Sequence, residues 1–208
     1  AMLLVGLALV ASATSAWADR YEASLHVQPA AGLAQVGSPG TDERISVASG
    51  GLAARLTYGM RHWLAVEAEI GGAAFGTARF KDVPVTISGG SPMVADIERS
   101  SQAGRLTLGA TLRLGVAWIP TVSAGVGGQL RIEGDGVITG SDIVPDGHEG
   151  GLRGDALGFA RVGLDRRLNR RLVVGVSTGV SRAFASPAIV TADVSVSFGW
   201  YWYPLIGP

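Results

Sequence analysis

The stretch Gly104–Pro120, GRLTLGATLRLGVAWIP, decides the fold. Every second residue from Leu106 is apolar: Leu106, Leu108, Ala110, Leu112, Leu114, Val116 and Trp118. Between them stand Arg105, Thr107, Gly109, Thr111, Arg113, Gly115 and Ala117, with two arginines and no large apolar side chain. A period of two is the signature of a β-strand, whose successive side chains point to opposite faces. In a soluble sheet the leucines would turn toward a core and the arginines toward water. In a barrel that crosses a bilayer the leucines face lipid and the arginines face the lumen. Which sidedness holds sets where the protein works.

The same alternation recurs along the chain. Tyr21, Ala23, Leu25 and Val27 alternate with Glu22, Ser24, His26 and Gln28. Leu52, Ala54, Leu56 and Tyr58 alternate with Ala53, Arg55 and Thr57, and Leu64, Val66, Ala68 and Ile70 with Ala65, Glu67 and Glu69. Further runs cover residues 122–133, 160–165, 172–180 and 190–202, which makes eight strands with the opening stretch. Longer segments rich in Gly, Pro and Asp surround Gly37, Gly89, Asp142 and Ser186. Tight turns are expected at Met60–His62, Ile119–Thr121 and Arg167–Asn169. Long connections on one side and short ones on the other are the layout of an outer-membrane barrel, with the turns and both chain ends in the periplasm. The pattern predicts an all-β, eight-stranded antiparallel up-and-down transmembrane β-barrel.

Charge and aromatic placement agree. No charged residue falls on the apolar face as phased above, where an Arg or Lys would cost ~2–4 kcal/mol at the bilayer midplane. The other face holds Arg55, Arg105, Arg113, Arg131 and Arg161 with Glu22, Glu67, Glu69, Glu133, Asp165 and Asp193. Tyr21, Tyr58, Trp63, Trp118, Trp200 and Trp202 gather at the turn side, with Trp118 expected to end the fourth strand. They predict a periplasmic aromatic girdle, because amphipathic rings prefer the membrane–water interface. A thinner upper girdle is expected from Phe75, Phe159 and Phe184.

The chain has 208 residues, a formal net charge of zero, 31 glycines and no cysteine. The charge balance points to no nucleic-acid partner. Met2–Ala13 is apolar and leads to Ala16-Trp17-Ala18, which fits a signal peptide over residues 1–18 cleaved before Asp19. That run falls short of the ~20 apolar residues a membrane-spanning helix needs. Residues 19–208 form the expected barrel domain.

With these features the chain resembles the family of small eight-stranded outer-membrane barrels typified by the OmpA membrane domain and OmpX. The resemblance rests on the leader, the eight alternating strands, the long and short connections and the aromatic last strand VSVSFGWYWY. It implies residence in the bacterial outer membrane and insertion by the barrel-assembly machinery, which reads the last strand. The expected partners are outer-membrane lipids and lipopolysaccharide, and the barrel is expected to be a monomer. The chain departs from the family by continuing past the aromatic strand with PLIGP.

Sites of chemistry are sparse. His26 lies near Glu22 and Ser24, a set that suggests lipid deacylation, but it points inward near the turn side, away from outer-leaflet acyl chains. His148 stands in SDIVPDGHEGG beside Asp142, Asp146 and Glu149. Their spacing matches no EF-hand loop, so an acidic loop is expected there. No cofactor or metal site is expected. The turn side is basic, with Arg20, Arg61, Arg166, Arg167, Arg170 and Arg171 against Asp19, and suits phospholipid headgroups. The loop side is acidic and could meet lipopolysaccharide through divalent cations.

The expected functional feature is a charge cluster in the lumen: Arg55, Glu67, Glu69 and Arg113. A hairpin centred near Arg61 sets Arg55 opposite Glu67, or opposite Glu69 after a two-residue shift that keeps the faces. Arg113 lies at a similar height on the next strand. An eight-stranded barrel has room only for side chains inside. The cluster therefore reads as a plug, and the protein as a non-enzymatic barrel with a structural or recognition role through its loops. The alternatives are a lipid-modifying outer-membrane enzyme and a narrow solute or ion pore.

Overall fold

The computed structural model describes residues 21–37, 44–115, 117–184 and 188–202. The expected leader, its cleavage site and the PLIGP segment lie outside the described residues. Among the described residues nine strands are present: β1 Ala23–Gly37, β2 Arg44–Arg61, β3 Leu64–Val85, β4 Met93–Arg113, β5 Trp118–Glu133, β6 Val137–Ile138, β7 Gly151–Arg167, β8 Leu172–Ala183 and β9 Ile189–Trp202. β6 is a two-residue strand inside the connection from β5 to β7, paired with β4 at Ile97 and Glu98. The other eight close a ring in chain order, every neighbour antiparallel, with β9 returning to β1. Among the described residues, closure leaves no edge in the eight-stranded ring itself, which a lipid environment requires.

The sidedness is that of a membrane barrel. Leu108 is 63% exposed and Val126 69%, whereas Glu69 is 2% exposed and Arg131 1%. Leu52, Leu56, Ile70, Leu106, Leu130, Val162, Val176, Val180 and Val194 likewise face outward. In water this would leave a wide apolar band solvated at ~25 cal/mol per Å². In a bilayer the same band is matched to its solvent.

The strands run longer than the alternation alone indicates. β3 has 22 residues and β4 has 21, against the ~9–11 that cross a membrane, so this hairpin stands well beyond the bilayer on the loop side. Bulges between Phe75 and Ala78 and between Phe80 and Val83 each shift the register while keeping Phe75, Ala78, Phe80, Val83 and Val85 buried. With Ala34, Val47, Ile97 and Ala103 these side chains form an apolar core at the upper end of the barrel. The connection 134–150 is tied down by Gly136 N donating to His148 O, Thr139 N to Asp96 O and Asp146 N to Thr86 O.

Two expectations need correction. The turn after β4 falls between Arg113 and Trp118, not at Ile119–Thr121, so Trp118 opens β5 instead of ending the fourth strand. The cause is Gly115, whose φ of +109° suits glycine alone, and Pro120, whose carbonyl accepts from Leu114 N. The upper girdle is also different. Phe75 shares the inward phase of Glu67 and Glu69 and is buried. The Phe159 ring lies over glycines of the inner wall, where a methyl at Gly125 would come within 2.6 Å of it. Of the three phenylalanines, only Phe184 is exposed.

Candidate functional site

The lower lumen is built from β2, β3, β4 and β7. The β2–β3 register sets Arg55 opposite Glu69 and Thr57 opposite Glu67, the two-residue-shifted pairing, after an irregularity between Gly59 and Arg61. Arg55 Nη1 lies 3.8 Å from Glu67 Oε2. Glu69 meets Arg105 Nη2 at 3.1 Å and accepts from Arg161 Nη2 at 2.7 Å. Arg161 Nη1 is also 3.9 Å from Glu67, so this β7 side chain reaches across the lumen to both β3 carboxylates. The Thr111 hydroxyl donates to Glu67.

Arg113 joins the cluster differently from the expectation. Its Nη2 donates to the Thr57 hydroxyl, and among the described residues no carboxylate lies within ion-pair reach of it. From Thr57 a hydroxyl chain continues to Ser24 at 2.6 Å and from Ser24 to His26 Nε2 at 2.9 Å. His26 is 1% exposed and packs edge-on to Tyr201, with ring centroids 6.1 Å apart. Glycine makes the space: a methyl at Gly199 would lie 2.6 Å from His26 Nδ1, and one at Gly175 would lie 1.9 Å from Asp165 Oδ1. At the turn-side mouth, Arg167 Nη2 donates to both oxygens of Glu22, at 2.8 and 2.7 Å, and its guanidinium sits 4.5 Å from the Tyr201 ring centre.

Above the cluster is a small chamber of about 40 Å³, where Gln28, Gln129, Arg105, Asp193, Ser181 and Thr191 meet alanines, glycines and Phe75. It has room for on the order of three waters. Higher still, Glu133 is shared by Arg131 at 3.1 Å, Arg153 at 3.3 Å and Arg99 at 3.7 Å. His148 sits at this rim, its carbonyl accepting from Arg99 Nη2 at 3.0 Å. Burial first, then the Arg99 charge, push its imidazole below the usual histidine range. Among the described residues no group of three metal-capable side chains comes together.

The aromatic residues of the turn side are placed outward as a belt. Tyr58, Trp63, Trp118, Trp200 and Trp202 are exposed, and Tyr21 leans on Tyr58 with ring centroids 6.4 Å apart. Tyr201, between two of these tryptophans, faces the lumen and is buried.

The alternation placed Arg105 and Arg161 on the polar face, but their part in the cluster was missed. Neighbouring strands reveal themselves through hairpin registers, whereas Arg161 and Glu69 are 92 residues apart and meet across the lumen. Thr57 and Thr111 carried only their inward phase as a signal.

No family model and no curated protein matches this chain. Solved structures do. The attachment invasion locus protein Ail of Yersinia pestis aligns over 88% of this chain and all of its own, at 13% identity and a TM-score of 0.52. The same protein in complex with the heparin analogue sucrose octasulfate aligns over the same shares at 12% identity and a TM-score of 0.53. At this level of identity the likeness is one of fold, and that fold is the small eight-stranded outer-membrane β-barrel.

Proposed function

We propose that this integral outer-membrane barrel is closed and non-enzymatic, and that it serves as a membrane platform whose structural or recognition work is done by its loop side. The observation that carries the reading is Arg161, which spans the lumen to Glu67 and Glu69. Arg55 and Arg105 engage the same two carboxylates from β2 and β4. A passing ion would have to part charges that are buried together, and parting them strands each in a low-dielectric interior. The lumen thus reads as a plug, with the Gln28–Gln129 chamber as a hydrated pocket above it.

The rest of the molecule supports the same reading. The Ser24–His26 pair is enclosed at the turn end, where no outer-leaflet acyl chain reaches it. The β3–β4 hairpin and the connection 134–150 pinned to it form a structured projection on the loop side. Lipopolysaccharide is the nearest partner for that side, the barrel-assembly machinery reads β9 during insertion, and the barrel stands as a monomer. Single-channel recording in planar bilayers tests the plug. Wild type should carry no steady current, and Glu69→Ala should introduce intermittent openings. A steady, high conductance of the wild type would make the lumen a pore and end this reading.

A further inference from the structure

The turn side carries unbalanced positive charge. Arg166 ends near the β7–β8 connection, which itself holds Arg170 and Arg171, and all three are exposed. Among the described residues the carboxylates at this end are Glu22 and Asp165, both buried, with Glu22 held by Arg167. No described carboxylate lies within ion-pair reach of Arg166, Arg170 or Arg171.

The turn that presents them is fixed. Asn169 Oδ1 accepts from Arg171 N at 2.8 Å and from Leu172 N at 2.9 Å. Leu168 N donates to Leu172 O at 2.9 Å, and Tyr201 N donates to Arg171 O at 2.8 Å, tying the turn to β9. Its depth is set as well. The Arg166 guanidinium lies 4.9 Å from the centre of the Trp118 ring, and Trp200 pairs with Leu172 across the β8–β9 ladder. Both tryptophans are exposed on the outer wall, and Leu168 is exposed in the turn itself. Trp marks the headgroup level of a bilayer. Guanidinium forks at that level match phosphate oxygens, and the surrounding Trp and Leu match the chain below a phosphate. A soluble polyanion would use the charges and leave the apolar surface unmatched.

We propose that the β7–β8 turn is a headgroup site for an anionic phospholipid of the periplasmic leaflet, with Arg166, Arg170 and Arg171 engaging the phosphate and Trp118, Trp200 and Leu168 bordering the acyl chains. The site stands whether the lumen is plugged or conducts. Electron spin resonance of labelled phosphatidylglycerol and phosphatidylcholine around the folded barrel in vesicles measures the selectivity. Wild type should favour phosphatidylglycerol severalfold, up to about fivefold per arginine, and lose most of that preference in ~1 M salt. The Arg166→Gln, Arg170→Gln, Arg171→Gln triple variant should bind both lipids alike, while Lys81→Gln on the loop side keeps the preference. Where the triple variant fails its gel-shift test of folding, the Arg170→Gln, Arg171→Gln double variant should lose at least half of the selectivity. Equal selectivity in wild type and the turn variants would overturn the proposal. So would complete displacement of the labelled lipid by soluble glycerol phosphate, which would mark a site for a free anion.

Discussion

Glu69 holds two guanidiniums at once, from Arg105 at 3.1 Å and Arg161 at 2.7 Å, in a position 2% exposed. Glu69→Ala takes the near partner from both cations, leaving Arg161 only its 3.9 Å contact with Glu67, and urea unfolding should show a loss of about 3–5 kcal/mol. Arg55→Ala should cost less, because its contact with Glu67 is long at 3.8 Å. The Glu69→Ala, Arg161→Ala pair should be less damaging than the sum of the singles, since each removes the charge that the other leaves unmatched. Strictly additive singles would mean no cluster. Gly175 makes a second case. Its missing side chain leaves room for Asp165 Oδ1, so Gly175→Ala should destabilise by roughly 1–3 kcal/mol through overpacking. Asp165→Ala in the same chain should recover most of that loss. His148 adds a pH dependence. Burial and Arg99 lower its affinity for a proton in the folded loop, against a smaller opposing pull from Glu149. An opened loop would bind a proton below about pH 6.5, the ordinary value. The folded loop is therefore fully favoured above that pH and weakens as pH falls through the lowered value. Hydrogen-exchange protection factors across residues 134–150, corrected for the intrinsic pH dependence of amide exchange, should fall on acidification below about pH 6.5, and His148→Phe should flatten that fall.

At the scale of elements, eight alternating segments were legible because their faces differ so sharply in polarity. Their lengths were not. β3 continues past Ile70 through Gly71, Gly72, Ala73 and Ala74, small residues that offer no contrast between faces, and then through two bulges that break the period. The misplaced turn before Trp118 has the same origin: Leu114, Val116 and Trp118 continue the alternation, and only Gly115 marks the break. The lumen cluster was legible as far as hairpins reach, which covers Arg55 with Glu67 and Glu69. The cross-lumen Arg161 depends on barrel closure, and Arg113 found a hydroxyl because Arg55, Arg105 and Arg161 already engage the two carboxylates. Register itself was ambiguous by two residues, as both choices keep the faces. The structure pairs Leu56 with Ala68. Leu56→Cys should therefore cross-link through a short bifunctional reagent more readily with Ala68→Cys than with Val66→Cys. The reverse preference would restore the unshifted hairpin.

At the scale of the whole molecule, one property organises the rest: polar residues inside, apolar residues outside, in a ring closed by β9 on β1. The proposed plug, the aromatic belt and the basic turns each presuppose it. A soluble eight-stranded barrel would invert every strand, burying Leu106 and Leu108 and exposing Thr107 and Arg105. The direct test is a nitroxide scan of the refolded protein in lipid vesicles, one label at a time along β4 and β9, read by collision with oxygen. Labels at Leu106, Leu108, Leu112, Val194 and Val196 should be highly accessible to oxygen, and labels at Thr107, Thr111 and Ser195 should be protected, with a period of two along each strand. The opposite phase, with the leucines protected and the threonines accessible, would contradict the membrane barrel itself.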